Sequence, residues 1–91
     1  RALYYDAKVA CAVCHGGERY TNNASTDVGT GKAFQVPSLL GVGFRAPYMH
    51  QGCADTMLKR FDPACGGKTH GNVSHLTPGQ KADLAAFVET L

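Results

Sequence analysis

Residues 11–15 read Cys11-Ala12-Val13-Cys14-His15, or CAVCH. Two thiols separated by two residues, with an imidazole directly after the second, suit a structural zinc site, a redox dithiol or the covalent attachment of a haem. A zinc ribbon needs a second close pair of cysteines, and the other two, Cys53 and Cys65, stand far apart. A thioredoxin-like dithiol needs alternating strand and helix patterns around it, which the flanking sequence lacks. Haem attachment uses every atom of the motif. Cys11 and Cys14 can each add to one vinyl group of the porphyrin, and His15 then falls under the iron as proximal ligand. The motif therefore predicts one covalent c-type haem.

The composition agrees with a chain that needs help to build its core. Ninety-one residues, 44% of them hydrophobic, suffice for a single domain over residues 1–91. Eleven glycines, four tyrosines, four phenylalanines and no tryptophan leave that core thin, so a disulfide or a buried cofactor is expected to supplement it. The net charge of +2 comes from scattered residues with no basic run, so no nucleic-acid partner is expected. No stretch reaches the length of a membrane span. The chain opens on Arg1 without Met, inside an expected helix, which suggests one domain of a larger oxidoreductase.

Around the motif, Leu3, Ala7, Ala10 and Cys14 recur at helical spacing, which predicts a helix from Arg1 to Ala10 running into the cysteines. Residues 16–47 are rich in Gly, Asn, Ser, Thr and Pro without a sustained period and read as a long ordered loop. A loop of that length fits a compact domain when it wraps a cofactor. Asp55 is a candidate cap for a short helix over about Thr56 to Phe61, closed by Pro63 and the glycines at 66 and 67. The last helix is the clearest: Thr77, Pro78 and Gln80 supply N-cap, first-position proline and capping-box partner, and Leu84, Phe87, Val88 and Leu91 line one face. The expected fold class is all-α, a cytochrome c-like haem domain with crossed first and last helices, a short central helix and long loops.

Haem c is attached outside the cytoplasm, usually in the bacterial periplasm. Oxidising surroundings make a disulfide the expectation for Cys53 and Cys65, with two free buried thiols the alternative. Such a bridge contributes on the order of 3 kcal/mol in the chain-entropy model. For the sixth position on iron the chain offers Met49, Met57, His50, His70 and His75. Methionine raises the potential, a second histidine lowers it, and an open site allows ligand binding or peroxide chemistry. Met57, between apolar neighbours, also reads as core filler, and Met49 as porphyrin packing.

The run VPSLLGVGFRAPYMHQG (36–52), followed by LTPGQKADLAAFVETL (76–91), resembles the carboxy-terminal haem domain of the bacterial dihaem cytochrome c peroxidase and methylamine-utilisation-type family. The resemblance runs from CAVCHGG to the last helix. It implies that the distal ligand comes from the segment after the short central helix, which here holds no methionine or tyrosine but does hold His70. His70 accordingly ranks first as iron ligand, Met49 second and Met57 third. Arg45 is a candidate partner of a haem propionate, with a surface charge as the equal alternative. Tyr48 is a candidate to stack on the porphyrin or donate to a propionate, and the carbonyl of Pro37 or a neighbour to accept the proton of the proximal imidazole.

The implied function is electron transfer through one haem, which requires no proton abstraction or nucleophile. The partner is then a redox protein or a fused redox domain docked near the exposed haem edge. The alternative is an enzyme that reduces peroxide at an open haem, or half of one. The resembling peroxidases use two haems, and this chain has one C-x-x-C-H motif.

Overall fold

The computed structural model describes residues 1–29, 31–50, 52–65 and 69–91. It opens with two short helices, α1 over Ala2–Tyr5 and α2 over Cys11–Cys14, where the sequence pattern predicted one continuous helix. The break lies at Asp6, whose backbone is extended (φ −66°, ψ 130°). Its carboxylate Oδ1 accepts the N–H groups of Lys8 at 2.8 Å and Val9 at 3.2 Å. A side chain that takes two backbone donors replaces the next helical turn with a turn of its own. Ala10, in the left-handed region at φ 65°, then redirects the chain into α2. As a result Tyr4 and Val9 are the buried residues of this segment, while Ala7, expected on the buried face, is exposed.

The long segment 16–47 contains a two-stranded antiparallel sheet, β1 over Ser25–Thr26 and β2 over Phe34–Gln35, with Ser25 opposite Gln35 and Thr26 opposite Phe34. A 3-10 turn follows at Val42–Phe44. Its Gly43 lies so close to the end of the last helix that a Cβ there would stand 2.5 Å from the Glu89 carbonyl oxygen. Elsewhere the loop bonds its backbone locally and to its neighbours, including Asn22 N–H to the Cys14 carbonyl at 2.7 Å and Val36 N–H to the Ala24 carbonyl at 2.8 Å.

The expected central helix over 56–61 is a 3-10 helix over Leu58–Phe61. It starts two residues later than expected and ends where expected, at Phe61: Pro63 disfavours helical geometry at the preceding residue, and Asp62 is extended at φ −67°, ψ 132°, while the expected closing glycines at 66 and 67 lie outside the described residues. The last helix, α3, spans Pro78–Glu89. The Thr77 hydroxyl oxygen accepts Gln80 N–H at 3.1 Å, and the Gln80 side-chain oxygen accepts Thr77 N–H at 2.9 Å. This reciprocal cap satisfies two donors that a helix start otherwise leaves open.

The expectation of an all-α domain is therefore corrected. Among the described residues α1 and α2 have four residues each, α3 has 12, and a two-stranded sheet accompanies them. Helix was overestimated at the start of the chain because Asp6 ends α1 after one turn, and in the centre because the four residues Leu58–Phe61 form a 3-10 helix.

The core joins Tyr4, Val9, Val42, Met57, Phe61, Val73, Leu76, Leu84, Ala85 and Val88. Tyr4 meets Phe87 of α3 edge-on, with 5.3 Å between ring centroids. The sulfurs of Cys53 and Cys65 are within bonding distance, with Cα atoms 5.9 Å apart. Among the described residues no helix is long and apolar enough to cross a membrane.

Candidate haem site

The elements surround a cavity of about 800 Å³, inside the ~300–1,000 Å³ range typical of cofactor pockets. Its walls are largely apolar, with Val36, Leu39, Val42, Phe61 and Val88 among them. Cys11 and Cys14 also line it, and both are free thiols.

His15 and His70 both line this cavity, with ring centroids 6.1 Å apart and planes inclined by 40°. Two imidazoles that bind one metal ion from opposite sides, each through a nitrogen at ~2.0 Å, have centroids about 6 Å apart. A separation of 6.1 Å would thus let both rings hold a single ion between them. Among the described residues no three His, Cys, Asp or Glu side chains converge on a metal position. The pair thus suits an ion whose other ligands come from a cofactor, as the pyrrole nitrogens of a porphyrin do, better than a protein-only zinc site.

Each imidazole is held differently. His15 is 8% exposed, and its Nδ1–H donates to the Tyr20 carbonyl at 3.2 Å, which leaves Nε2 with the lone pair. Pro37 lines the cavity and its carbonyl also attracts this ring, but Tyr20 makes the hydrogen bond. The buried hydroxyl of Tyr4 donates to the His15 backbone carbonyl. Burial raises the Tyr4 phenol well above its ordinary value, so it stays a donor.

His70 is half-buried, and its Nδ1 is buried without a hydrogen-bond partner among the described residues. Three contacts fix its segment. The Thr69 hydroxyl donates to the Val28 carbonyl, Arg60 Nη2 donates to the His70 carbonyl, and Asn72 N–H donates to the Val9 carbonyl at 2.9 Å. Gly71 lies in the left-handed region at φ +73°, which glycine adopts without strain.

Both imidazoles are biased towards the neutral, ligating form. Burial lowers the His15 pKa. Burial, then the positive charge of Arg60 and the neighbouring His15, pushes His70 down to about 3. Cys11 is shifted the other way, its thiol raised by burial.

The remaining candidates are distributed around the same cavity. Met49 lines it from a turn closed by the Tyr48–Ala54 bridge, with its backbone at φ 70°. Tyr48 lines it, half-buried, and Met57 lines it from within the core at 5% exposure. Arg45 is exposed at the cavity wall, where Nη2 donates to the carbonyls of Ser38 at 2.7 Å and Leu40 at 2.9 Å. His50 stacks on Phe34 with 3.8 Å between ring centroids, at the cavity wall. His75 is exposed and does not line the cavity.

Sequence reasoning missed Tyr4, Tyr20 and Arg60. Tyr20 acts through its backbone carbonyl, which no side-chain motif marks. Tyr4 lay off the apolar stripe that the helical reading selected. Arg60 is 8% exposed on the central 3-10 helix, although arginine is ordinarily a surface residue. Burial pushes its pKa down to about 10, which leaves it cationic at neutral pH.

The chain is similar to two curated proteins. It is 29% identical to the methylamine utilization protein MauG of Methylorubrum extorquens, over 96% of this chain and 32% of that protein. It is 35% identical to the cytochrome-c peroxidase IdrP1 of Denitromonas iodatirespirans, over 82% of this chain and 21% of that protein. The chain thus spans about a third and about a fifth of these relatives' lengths. No family model and no solved structure matches it.

Proposed function

We propose that this chain is an electron-transfer domain of the dihaem cytochrome c peroxidase and methylamine-utilisation type, holding one covalent haem c. The observation that carries the reading is the close pair His15 and His70, ring centroids 6.1 Å apart in the lining of an apolar cavity that both free thiols of CAVCH also line. When bound there, haem supplies a one-electron ferric/ferrous couple.

The chain's residues then have distinct tasks. Cys11 and Cys14 tether the cofactor through thioether bonds. His15 serves as proximal ligand through Nε2, oriented by its bond to the Tyr20 carbonyl. His70 serves as distal ligand, ahead of Met49 and Met57. The apolar walls keep water from the iron, and Arg45 and Tyr48 are the residues assigned to the propionate edge. The MauG and IdrP1 similarities support this family, and their greater length supports reading the chain as one domain of a larger redox protein. The Cys53–Cys65 pairing supports an extracytoplasmic, periplasmic setting, because a disulfide persists where surroundings oxidise. Its partner is another redox protein or a fused redox domain.

The peroxidase name of one relative gives a second reading, peroxide reduction at an open iron position. A distal His70 argues against it, since that ligand fills the site peroxide would need.

The test is expression with a c-type haem maturation system, followed by mass spectrometry of the denatured protein. The reading predicts the mass of one haem retained by the wild type and lost in a Cys11→Ala/Cys14→Ala double variant. Unmodified wild-type chain from cells that mature another cytochrome c would contradict it.

A further inference from the structure

Arg60 carries a buried charge with no acid beside it. The side chain is 8% exposed, Nη1 has no hydrogen-bond partner among the described residues, and Nη2 donates to the His70 carbonyl. All seven acids of the sequence lie among the described residues, and the ion pair found there joins Lys59 to Asp55, not Arg60. The guanidinium is instead flanked by the Phe61 ring, 4.9 Å from the ring centroid. A buried cation without a counter-charge costs several kcal/mol relative to water, so an arginine is a poor way merely to fill this volume.

Its location gives the charge two consequences. Arg60 lines the cavity, and its guanidinium is bonded to the backbone of His70. We infer that Arg60 is a positioning residue for His70, and that its uncompensated charge also favours the reduced state of a cofactor in the cavity. This rests on the haem reading proposed above. Reduction adds one electron, supplied by an electrode or an outer-sphere donor, and removes one positive charge from the cofactor. The nearby guanidinium favours that change and itself neither gains nor loses an electron or proton. The bond to the carbonyl holds the 69–72 segment in place, so His70 does not have to be ordered each time it binds.

The experiment uses the haem-loaded chain with Arg60→Met, which keeps an apolar stem without the charge, and Arg60→Lys, which keeps the charge without the forked donor. Spectroelectrochemical titration reads the midpoint potential, and titration with added imidazole reads how readily His70 is displaced. Arg60→Met is expected to lower the midpoint potential and to raise the displacement constant by ~10- to 100-fold, as loss of a hydrogen bond from a charged donor implies. Arg60→Lys is expected to restore most of the potential but only part of the resistance to imidazole. A purely structural arginine would move thermal stability alone. Unchanged potential and unchanged displacement in Arg60→Met would overturn the proposal. Wild-type protein that acquires no haem would overturn the functional reading and this inference with it, whereas haem-loaded wild type with inert Arg60 variants would overturn only the inference.

Discussion

The hydroxyl of Tyr4, a fully buried residue of α1, donates to the backbone carbonyl of His15. This bond ties the first helix to the turn that presents the His15 imidazole. Tyr4→Phe removes the donor, keeps the ring packed against Phe87, and leaves a buried carbonyl unpaired. Such a loss costs about 1–3 kcal/mol, which lowers the melting temperature by several degrees in a domain of this size. Thermal unfolding of the haem-loaded variant checks this, and an unchanged melting temperature would show that the bond contributes nothing.

The Cys53–Cys65 pair closes a loop with a sequence separation of 12. Constraint of the unfolded chain by a loop of that size contributes about 3 kcal/mol. A Cys53→Ser/Cys65→Ser double variant is therefore expected to unfold at lower denaturant by that amount while retaining its haem. Equal stability of variant and wild type under oxidising conditions would contradict it.

The pH response of the distal side follows from the lowered pKa of His70. Its folded pKa lies near 3, below the ordinary imidazole value, so between those limits the unfolded or detached state binds the extra proton. The stability this group contributes is thus fully present above the ordinary value and declines by up to about 1.4 kcal/mol per pH unit as acid is added through the window. Acid unfolding of the His70→Ala variant beside the wild type should show wild-type stability falling faster between about pH 6 and pH 3. Equal falls in the two would mean that His70 is not held neutral by burial.

Gly71, next to His70, sits at φ +73°, and a Cβ there would meet the Val9 carbonyl oxygen at 3.2 Å. Gly71→Ala should strain the 69–72 segment, costing about 1–3 kcal/mol and loosening the distal ligand. Gly43→Ala provides the contrast, because its Cβ would meet Glu89, at the end of α3. It should lower stability and leave the haem spectrum unchanged, and the same spectral change in both would show that Gly71 has no particular link to His70.

Different kinds of information made different parts of this protein legible in sequence. CAVCH and the capping box at Thr77 are local, and residues at fixed spacing carry their chemistry wherever the chain goes. The helix expected over residues 1–10 failed because periodicity counted side chains and overlooked Asp6, which satisfies two backbone N–H groups itself. The sheet of Ser25–Thr26 with Phe34–Gln35 was invisible because two-residue strands leave no period. The Thr69–Val28 tie joins residues 41 positions apart, which single-chain patterns do not reveal. Arg60 was missed for a related reason: its burial arises from the packing around it, against the residue's ordinary surface preference.

In the haem reading proposed above, His15 and His70 would hold one iron between them. Near-infrared magnetic circular dichroism of the oxidised protein, with His70→Ala and Met49→Ala beside it, tests that most directly. The account predicts a low-spin spectrum without a sulfur-to-iron charge-transfer band, unchanged in Met49→Ala and lost in His70→Ala. A sulfur band abolished by Met49→Ala, or a high-spin ferric spectrum in the wild type, would contradict it.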